Sequence, residues 1–206
     1  MTRPAVPFQI RLETENYLVR TLALDDASQR ACAWLADPLK ARMLNMRPRT
    51  LSLGELQAYI ASHDGITGHI LGIFENESGA HVGLWSVYID WDLKEFLVNV
   101  LVGGRGPDMP AVRQETQPPL IRYLFDGLDL ETVRCAVLSD NYSITDQLEN
   151  AGVAPEHKSF KASATEQAFV EIQHFSVSKE VWRDLRARAD RREQIVAVLN
   201  AARAGI

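Results

Sequence analysis

Cysteine is scarce in this 206-residue chain, and its two cysteines, Cys32 and Cys135, are far apart in apolar surroundings. Disulfide frameworks and zinc sites need clustered ligands, so neither is expected here. The five histidines show no ligand spacing either. The sequence therefore predicts no metal site and two thiols that serve as small buried side chains in a reducing compartment.

Long apolar runs are also missing. No stretch approaches the roughly 20 residues that a membrane-spanning helix needs, and residues 1–7 lack the apolar region of a signal peptide. Lysine and arginine total 22 against 27 aspartates and glutamates, for a net charge of −5. This balance favours neither nucleic acid nor an anionic membrane as a partner. We expect a cytoplasmic protein with a weak preference for cationic substrates such as amines.

The chain does contain a regular alternation of strand and helix patterns. Hydrophobic residues make up 46% and charged residues 24%, which is typical of a globular domain. Periodicity predicts strands at 6–11, 17–24, 69–75, 81–90, 95–102, 132–138 and 169–177, with helices at 27–35, 53–60, 120–128, 142–150 and from 178 onward. This order predicts an α/β fold (an α+β mixed sheet), with a central twisted sheet flanked by helices. We assign residues 1–189 to one domain and 190–206 to a C-terminal helical extension.

The most specific segment runs from Asn141 to Gly152, directly after a buried strand. It resembles a segment of the GCN5-related N-acetyltransferase (GNAT) superfamily that reads Asn, a helix carrying Leu-Glu, and then Gly-Phe. Leu148 and Glu149 match that pattern, and Val153 stands where Phe is usual. The resemblance covers roughly residues 18–183.

Two further segments resemble one subgroup of this superfamily. Ile89-Asp90 followed by Glu95 is similar to a hairpin of the ribosomal-protein N-acetyltransferase subgroup, and Leu18 to Leu22 is similar to its opening strand. The family fold implies that two parallel strands separate and that acetyl-CoA, or another acyl-CoA, lies between them.

The resemblance also implies which residues bind the acyl-CoA. The backbone of Val100, Leu101 and Val102 would pair with the thioester and pantetheine. Asn141, directly after the second strand, would also contact the cofactor. The pyrophosphate would sit on amides at the start of the next helix, where the helix dipole favours an anion.

The pyrophosphate loop departs from the family pattern, Arg/Gln-x-x-Gly-x-Gly/Ala. Asp108 to Ala111 fall at its end, and Pro118-Pro119 fall where the helix should run. Proline removes backbone donors, so we expect a helix that starts late, near Pro119, or one that is broken.

Gly104, Arg105 and Gly106 offer a replacement for the eroded loop, with Arg105 as a phosphate contact. The alternative is a flexible glycine loop without a binding role.

Acyl transfer to an amine needs a base for the amine proton and an acid for the departing thiolate. Glu95 is the best candidate base, because the resemblance places it at the start of the separating strand; the alternative is a solvated hairpin charge. Asp90 and Asp92 are weaker candidates. Tyr142 and Ser143 are the candidate acids.

Each acid also has a structural alternative. Ser143 could instead cap a helix, and Tyr142 could simply cover the cofactor. The two positions where the family carries acidic hydroxyls, those of Ile144 and Leu148, are apolar in this chain.

Three functions remain open at this point. The first is an N-acyltransferase that uses a small-molecule or peptide amine and works by direct attack in a ternary complex. The second is a degenerate GNAT scaffold that binds a ligand or partner, and the third is an enzyme with a different acyl donor. The apolar stripe of the C-terminal helix, which includes Trp182, Leu185, Ile195 and Leu199, packs on the domain or on a second copy in a homodimer.

Overall fold

The computed structural model describes residues 3–103, 108–165, 168–189 and 191. Its strands are β1 Arg11–Glu13, β2 Tyr17–Thr21, β3 Gly68–Glu75, β4 His81–Asp90, β5 Glu95–Val102, β6 Thr132–Leu138, β7 His157–Ala162 and β8 Phe169–Ser178. Its helices are α1 Gln29–Cys32, α2 Pro38–Met43, α3 Leu53–Ala61, α4 Asp108–Arg122, α5 Tyr142–Asn150 and α6, residues 179–189.

The strands form one 8-stranded sheet in the order β1-β2-β3-β4-β5-β6-β8-β7. Every neighbouring pair is antiparallel except β5 and β6, which are parallel. A parallel pair needs a crossover connection, and α4 supplies it. The expected mixed sheet flanked by helices is confirmed.

Each face of the sheet buries its own core, because successive side chains of a strand point to opposite faces. Trp85 and Phe96 belong to the larger core, together with residues of α4 and the turn after it. Leu84, the neighbour of Trp85, belongs to a smaller core with Trp34 and Leu56. The sheet therefore lies between α4 on one side and α1 and α3 on the other.

Helix α4 corrects one expectation. It begins at Asp108 and continues through Pro118 and Pro119 to Arg122, so the prediction of a late or broken helix is wrong. A turn of π-helix follows at Tyr123–Gly127. The regular hydrogen bonding of a helix is usually interrupted at prolines and at π-turns. Here the two prolines lie shortly before the π-turn, and the helix continues through them.

Tertiary contacts hold α4 in place despite its prolines. The buried hydroxyl of Thr116 donates to the Val112 carbonyl at 2.7 Å and accepts from the Trp85 indole N–H at 3.1 Å. The Glu115 carboxylate accepts from the Asn16 backbone N–H at 2.7 Å and from the Asn16 amide at 2.9 Å. These bonds join the helix to β4 and to the β1–β2 turn, and such contacts do not appear in local sequence patterns.

Two strands differ from the expectation. The first strand covers Arg11–Glu13, rather than residues 6–11. Strand β7 was not predicted, because its mostly exposed residues lack an alternating pattern; it is the last strand in the sheet order. Exposed edge strands are often polar, which blunts unwanted pairing with other chains.

Helix α6 packs on the domain through Trp182 and Leu185, which contact the larger core. The ring of Trp182 lies 5.6 Å from that of Phe125, and Lys179 Nζ donates to the Phe125 carbonyl at 2.7 Å. Ile195 and Leu199, like the rest of 192–206, lie outside the described residues, so the domain boundary and the homodimer remain predictions.

The burial of His69 predicts how the free energy of unfolding depends on pH. Its side chain is 1% exposed, and burial lowers the pKa of His69 in the folded chain. The unfolded chain therefore takes up a proton more readily, and this contribution to stability is lost as pH falls below about 6.5, by up to about 1.4 kcal/mol per pH unit. Urea unfolding between pH 8 and pH 5 measures the loss.

A matched pair of variants assigns that loss to its source. We expect His69→Leu to reduce the acid sensitivity, with part of the remainder carried by His81, whose pKa burial also lowers. His157→Gln, at an exposed histidine, should reduce it less. Equal acid sensitivity in His69→Leu and the natural protein would contradict the assignment.

Candidate active site

Strands β5 and β6 are paired only at their starts. Glu95 to Leu97 face Thr132 to Arg134 in parallel register, and within the described residues the pairing does not continue further along β5. The other edge of β5 pairs with β4 along its whole length. The two central strands thus separate towards their carboxyl ends, as the family resemblance implied.

The backbone of β5 offers free hydrogen-bonding groups to this gap. Gly103 N donates to Val82 O at 2.7 Å across the β4 edge. Because an antiparallel strand alternates the edge to which it bonds, Val100 and Val102 direct their N–H and C=O groups away from β4, into the gap. The gap can therefore take an extended ligand with amide groups.

Two residues of the small core support the end of β5. The side chain of Lys40 is 7% exposed, and its ammonium donates to the Gly103 carbonyl at 3.1 Å. The indole ring of Trp34 packs so closely on Gly103 that a Cβ there would overlap it. Sequence reasoning did not single out Lys40, because buried lysines are uncommon and give no local signal.

A cavity of about 540 Å³ opens beside the gap, on the face that α1 and α3 cover. The sheet side of the cavity is formed by Asn99, Val100, Leu101, Ala136 and Leu138. A cavity of this size accepts a small molecule or the end of a peptide. Because it reaches both separated strands, an acceptor in the cavity would meet a donor held in the gap.

The cavity is covered by the segment between α2 and α3, residues 44–51, which we call the covering segment. The Asn45 side chain donates to Ala162 O at 3.2 Å and accepts from Ala164 N at 2.9 Å. Arg47 Nε donates to the carbonyl of Ala164 at 3.0 Å. Asn45 holds a left-handed backbone with φ 49°, which its two bonds help to offset.

Helix α3 begins at a capping box on the cavity wall, as its sequence indicates. Ser52 Oγ accepts from Glu55 N at 3.2 Å, and the Glu55 carboxylate accepts from Ser52 N at 2.7 Å. Arg49 Nη1 also donates to Glu55, at 2.7 Å. These donors, led by the Ser52 backbone N–H, lower the pKa of Glu55 to about 2. The carboxylate is thus ionised and fully engaged.

A row of hydroxyls leads from the cavity to the surface. Tyr59, Ser86 and Tyr88 all line the cavity, and partial burial raises the pKa of Tyr59 to about 12. Tyr88 Oη lies 3.4 Å from His63 Nε2. His63 Nδ1 lies 2.9 Å from the Tyr59 carbonyl and donates to it, which leaves Nε2 as the acceptor.

The structure places the predicted base outside the cavity lining. Glu95 accepts from Arg134 Nε at 2.9 Å and from Arg134 Nη2 at 2.7 Å, and Arg134 Nη1 reaches Glu156 at 2.7 Å. This ion pair lies where β5 and β6 are still joined. Alternate residues of a strand share a face, so the Glu95 side chain points to the same sheet face as those of Leu97 and Asn99.

The other predicted residues lie towards the open end of the gap. Val100 and Leu101 line the cavity. Asn141 and Tyr142 follow the end of β6, and the Tyr142 side chain is 66% exposed. Ser143 is in the first turn of α5, and its side chain lies outside the described part of the chain. Gly104, Arg105 and Gly106 lie outside it as well.

The described residues contain neither a cluster of metal ligands nor a helix suited to cross a membrane. They contain no group of three or more histidine, cysteine, aspartate or glutamate side chains that could hold a metal ion. None of their helices combines the length and the apolar character that a bilayer crossing requires.

Solved structures resemble this chain closely in fold and weakly in sequence. A GCN5-related N-acetyltransferase from Brucella melitensis has a TM-score of 0.68 at 16% identity, over 90% of this chain and 86% of that one. The ribosomal-protein-S5-alanine acetyltransferase of Vibrio fischeri has a TM-score of 0.66 at 14% identity, over 84% and 98%. A Vibrio cholerae spermidine N-acetyltransferase, solved with CoA and spermine, has a TM-score of 0.63 at 14% identity, over 81% and 97%.

The chain therefore has the GNAT fold, and its structural neighbours are GNAT-family acetyltransferases that include ribosomal-protein acetyltransferases. Neither protein-family models nor curated proteins match its sequence. The expected fold is confirmed, whereas the roles of individual site residues remain proposals.

Proposed function

We propose that the chain is a GNAT-type N-acyltransferase that moves an acetyl or other short acyl group from acyl-CoA to an amine. The observation that carries the proposal is the separation of β5 and β6 next to a cavity. The fold of its acetyltransferase neighbours supports it. Direct attack in a ternary complex requires that donor and acceptor meet, and the cavity reaches the gap through Val100.

The residues of the gap fit an acyl-CoA. Val100 and Val102 present unpaired backbone groups that suit the amides of pantetheine, and bound acyl-CoA supplies the thioester for acyl transfer. The Val100 N–H is the proposed group that polarises the thioester carbonyl, since fixed backbone donors stabilise a developing oxyanion. Lys40 adds a buried positive charge at the end of β5, on the approach to residues 104–107.

We propose that the amine proton leaves along the hydroxyls of Ser86, Tyr59 and Tyr88 to His63. Tyr59, Ser86 and Tyr88 line the cavity, and His63 Nε2 is oriented to accept. Hydrogen-bonded hydroxyls can pass a proton without charging Tyr59, whose pKa is high. Glu95, which accepts two hydrogen bonds from Arg134, remains the competing proposed base.

Tyr142 and Ser143 are the proposed acids for the departing thiolate. Both begin α5, which follows the open end of β6, so they stand at the gap rather than in the acceptor cavity. The exposed Tyr142 side chain would have to turn towards the gap to donate.

Ligand-induced stabilisation tests the proposal. A ligand at a hundred times its Kd stabilises a protein by about 2.7 kcal/mol, which for a chain of this size raises Tm by roughly 5–10 °C. We expect a shift of this order with acetyl-CoA or another short acyl-CoA, and release of free CoA thiol when an amine is added.

Each part of this test has a decisive outcome. No thermal shift with acetyl-, propionyl- or succinyl-CoA at millimolar concentration would contradict the proposed function. Binding without thiol release across a broad set of amines would favour the alternative, a GNAT scaffold that holds a ligand.

A further inference from the structure

The charged groups around the cavity point to the class of acceptor. Three charged side chains line it: Arg49, Glu55 and Lys161. Glu55 accepts from Arg49 and from both donors of Ser52, so its charge is already balanced within the wall. Among the described lining residues Glu55 is the only carboxylate, and an ammonium ion there would compete with Arg49 for it.

Lys161 is left as the cation of the lining that has no carboxylate within the described residues. It lies on β7 at the exposed margin of the cavity, directly before Ala162, which the covering segment clasps through Asn45. Arg49 also lines the cavity, near the end of the covering segment, with one nitrogen on Glu55.

A second cavity, of about 710 Å³, borders the same segment and adds to the positive charge. Arg42 and Arg47 line it, with Arg42 paired to Asp140 and Arg47 bonded to a backbone carbonyl. Arg47 and Lys161, which have no ion pair within the described residues, make this region locally positive in a chain of net charge −5. Charges at the mouth of a low-dielectric cleft concentrate ligands of opposite sign.

The rest of the cavity is mainly apolar. Leu56, Leu84 and Leu101 form its depth, and the hydroxyls of Ser86 and Tyr88 stand on its sheet wall. A ligand that fits has an apolar body, an amine that reaches the gap and an anion that stays at the rim.

We propose that the acceptor is an amine that also carries a carboxylate, such as an amino-acid-like molecule or a short peptide, and that Lys161 and Arg49 bind this carboxylate. The inference rests on the proposed N-acyltransferase function and names its substrate class. Lysine and arginine bind carboxylates through charge-assisted hydrogen bonds, which are stronger than neutral ones.

The test compares two dipeptides that differ only at the far end, alanyl-leucine and its C-terminal amide, with spermidine as a cationic acceptor. The α-amino groups of the two dipeptides have similar basicity, so a rate difference reports on the carboxylate. We expect kcat/KM to be at least about 10-fold higher for the acid than for the amide, and spermidine to be the poorest acceptor. The preference should shrink as salt is raised, because exposed charges are screened.

Lys161→Gln should abolish most of this preference while leaving acyl-CoA affinity unchanged. The matched control is Lys158→Gln on the same strand, because Lys158 points to the opposite face and pairs with Glu171 at 2.8 Å. That control should keep the preference intact.

The outcomes separate this inference from the function on which it rests. Equal kcat/KM for acid and amide in a protein that binds acyl-CoA would overturn the inference alone. A Lys161-dependent preference for succinyl-CoA over acetyl-CoA would place the carboxylate on the donor and overturn the acceptor assignment. Failure to bind any acyl-CoA would overturn both.

Discussion

Replacing Gly103 with alanine should destabilise the protein and weaken acyl-CoA binding together. A Cβ at Gly103 would overlap the indole of Trp34, which is 4% exposed and cannot move aside without disturbing the small core. Overpacking of this kind costs about 1–3 kcal/mol, or roughly 2–12 °C in Tm for a chain of this size. Because Gly103 directly follows the last residue of β5, the shift would also displace the gap-facing groups of Val102. Thermal unfolding and acyl-CoA titration measure the two effects.

Gly54→Ala is the matched control, since it makes the same chemical change in helix α3. Nothing lies within 4 Å of a Cβ at Gly54, and alanine favours a helix over glycine by about 0.5–1 kcal/mol. We expect Gly54→Ala to raise Tm slightly and to leave acyl-CoA affinity unchanged. If Gly103→Ala were as stable as Gly54→Ala, the close packing of Trp34 on β5 would be contradicted.

Tyr88→Phe should lower kcat by about 100-fold, within the range that general acid–base groups contribute, while acyl-CoA affinity stays the same. The substitution removes the hydroxyl that lies beside His63 and ends the proposed proton route, and it keeps the ring. Steady-state kinetics with a saturating amine, beside calorimetry with acyl-CoA, separates turnover from donor binding.

Two further variants test the predicted effect of Tyr88→Phe on kcat. Tyr123→Phe removes a hydroxyl from a partly buried tyrosine outside the cavity and should leave kcat unchanged. Glu95→Gln tests the competing base. If Glu95→Gln abolished turnover and Tyr88→Phe retained it, the proton would leave through the Glu95–Arg134 pair, and the hydroxyl route would be wrong.

Much of the fold followed from local patterns. Periodicity predicted a strand at 95–102, and β5 covers those residues between β4 and β6. It also predicted a helix at 53–60, and α3 covers Leu53–Ala61 behind its capping box. Local rules misjudged α4, where Pro118-Pro119 indicated a break.

The candidate site was only partly visible in the sequence. The resemblance identified Val100 to Val102 as the donor strand, and the structure leaves Val100 and Val102 unpaired on that side. It did not identify Lys161, Arg49 or Tyr88 as neighbours, because these side chains come from a strand edge, a loop and a hairpin. No spacing rule joins residues so far apart in the chain.

The sequence by itself determined most of the order of strands and helices, though not α2 or β7, since periodicity acts between residues a few positions apart. Only the tertiary structure decided which charges line the cavity. The net charge of −5 favoured a cationic substrate, but Glu55 is engaged by Arg49 and Ser52, and Lys161 stands at the rim. Binding depends on the local electrostatic field of a cavity, and packing sets that field by choosing which charges are paired.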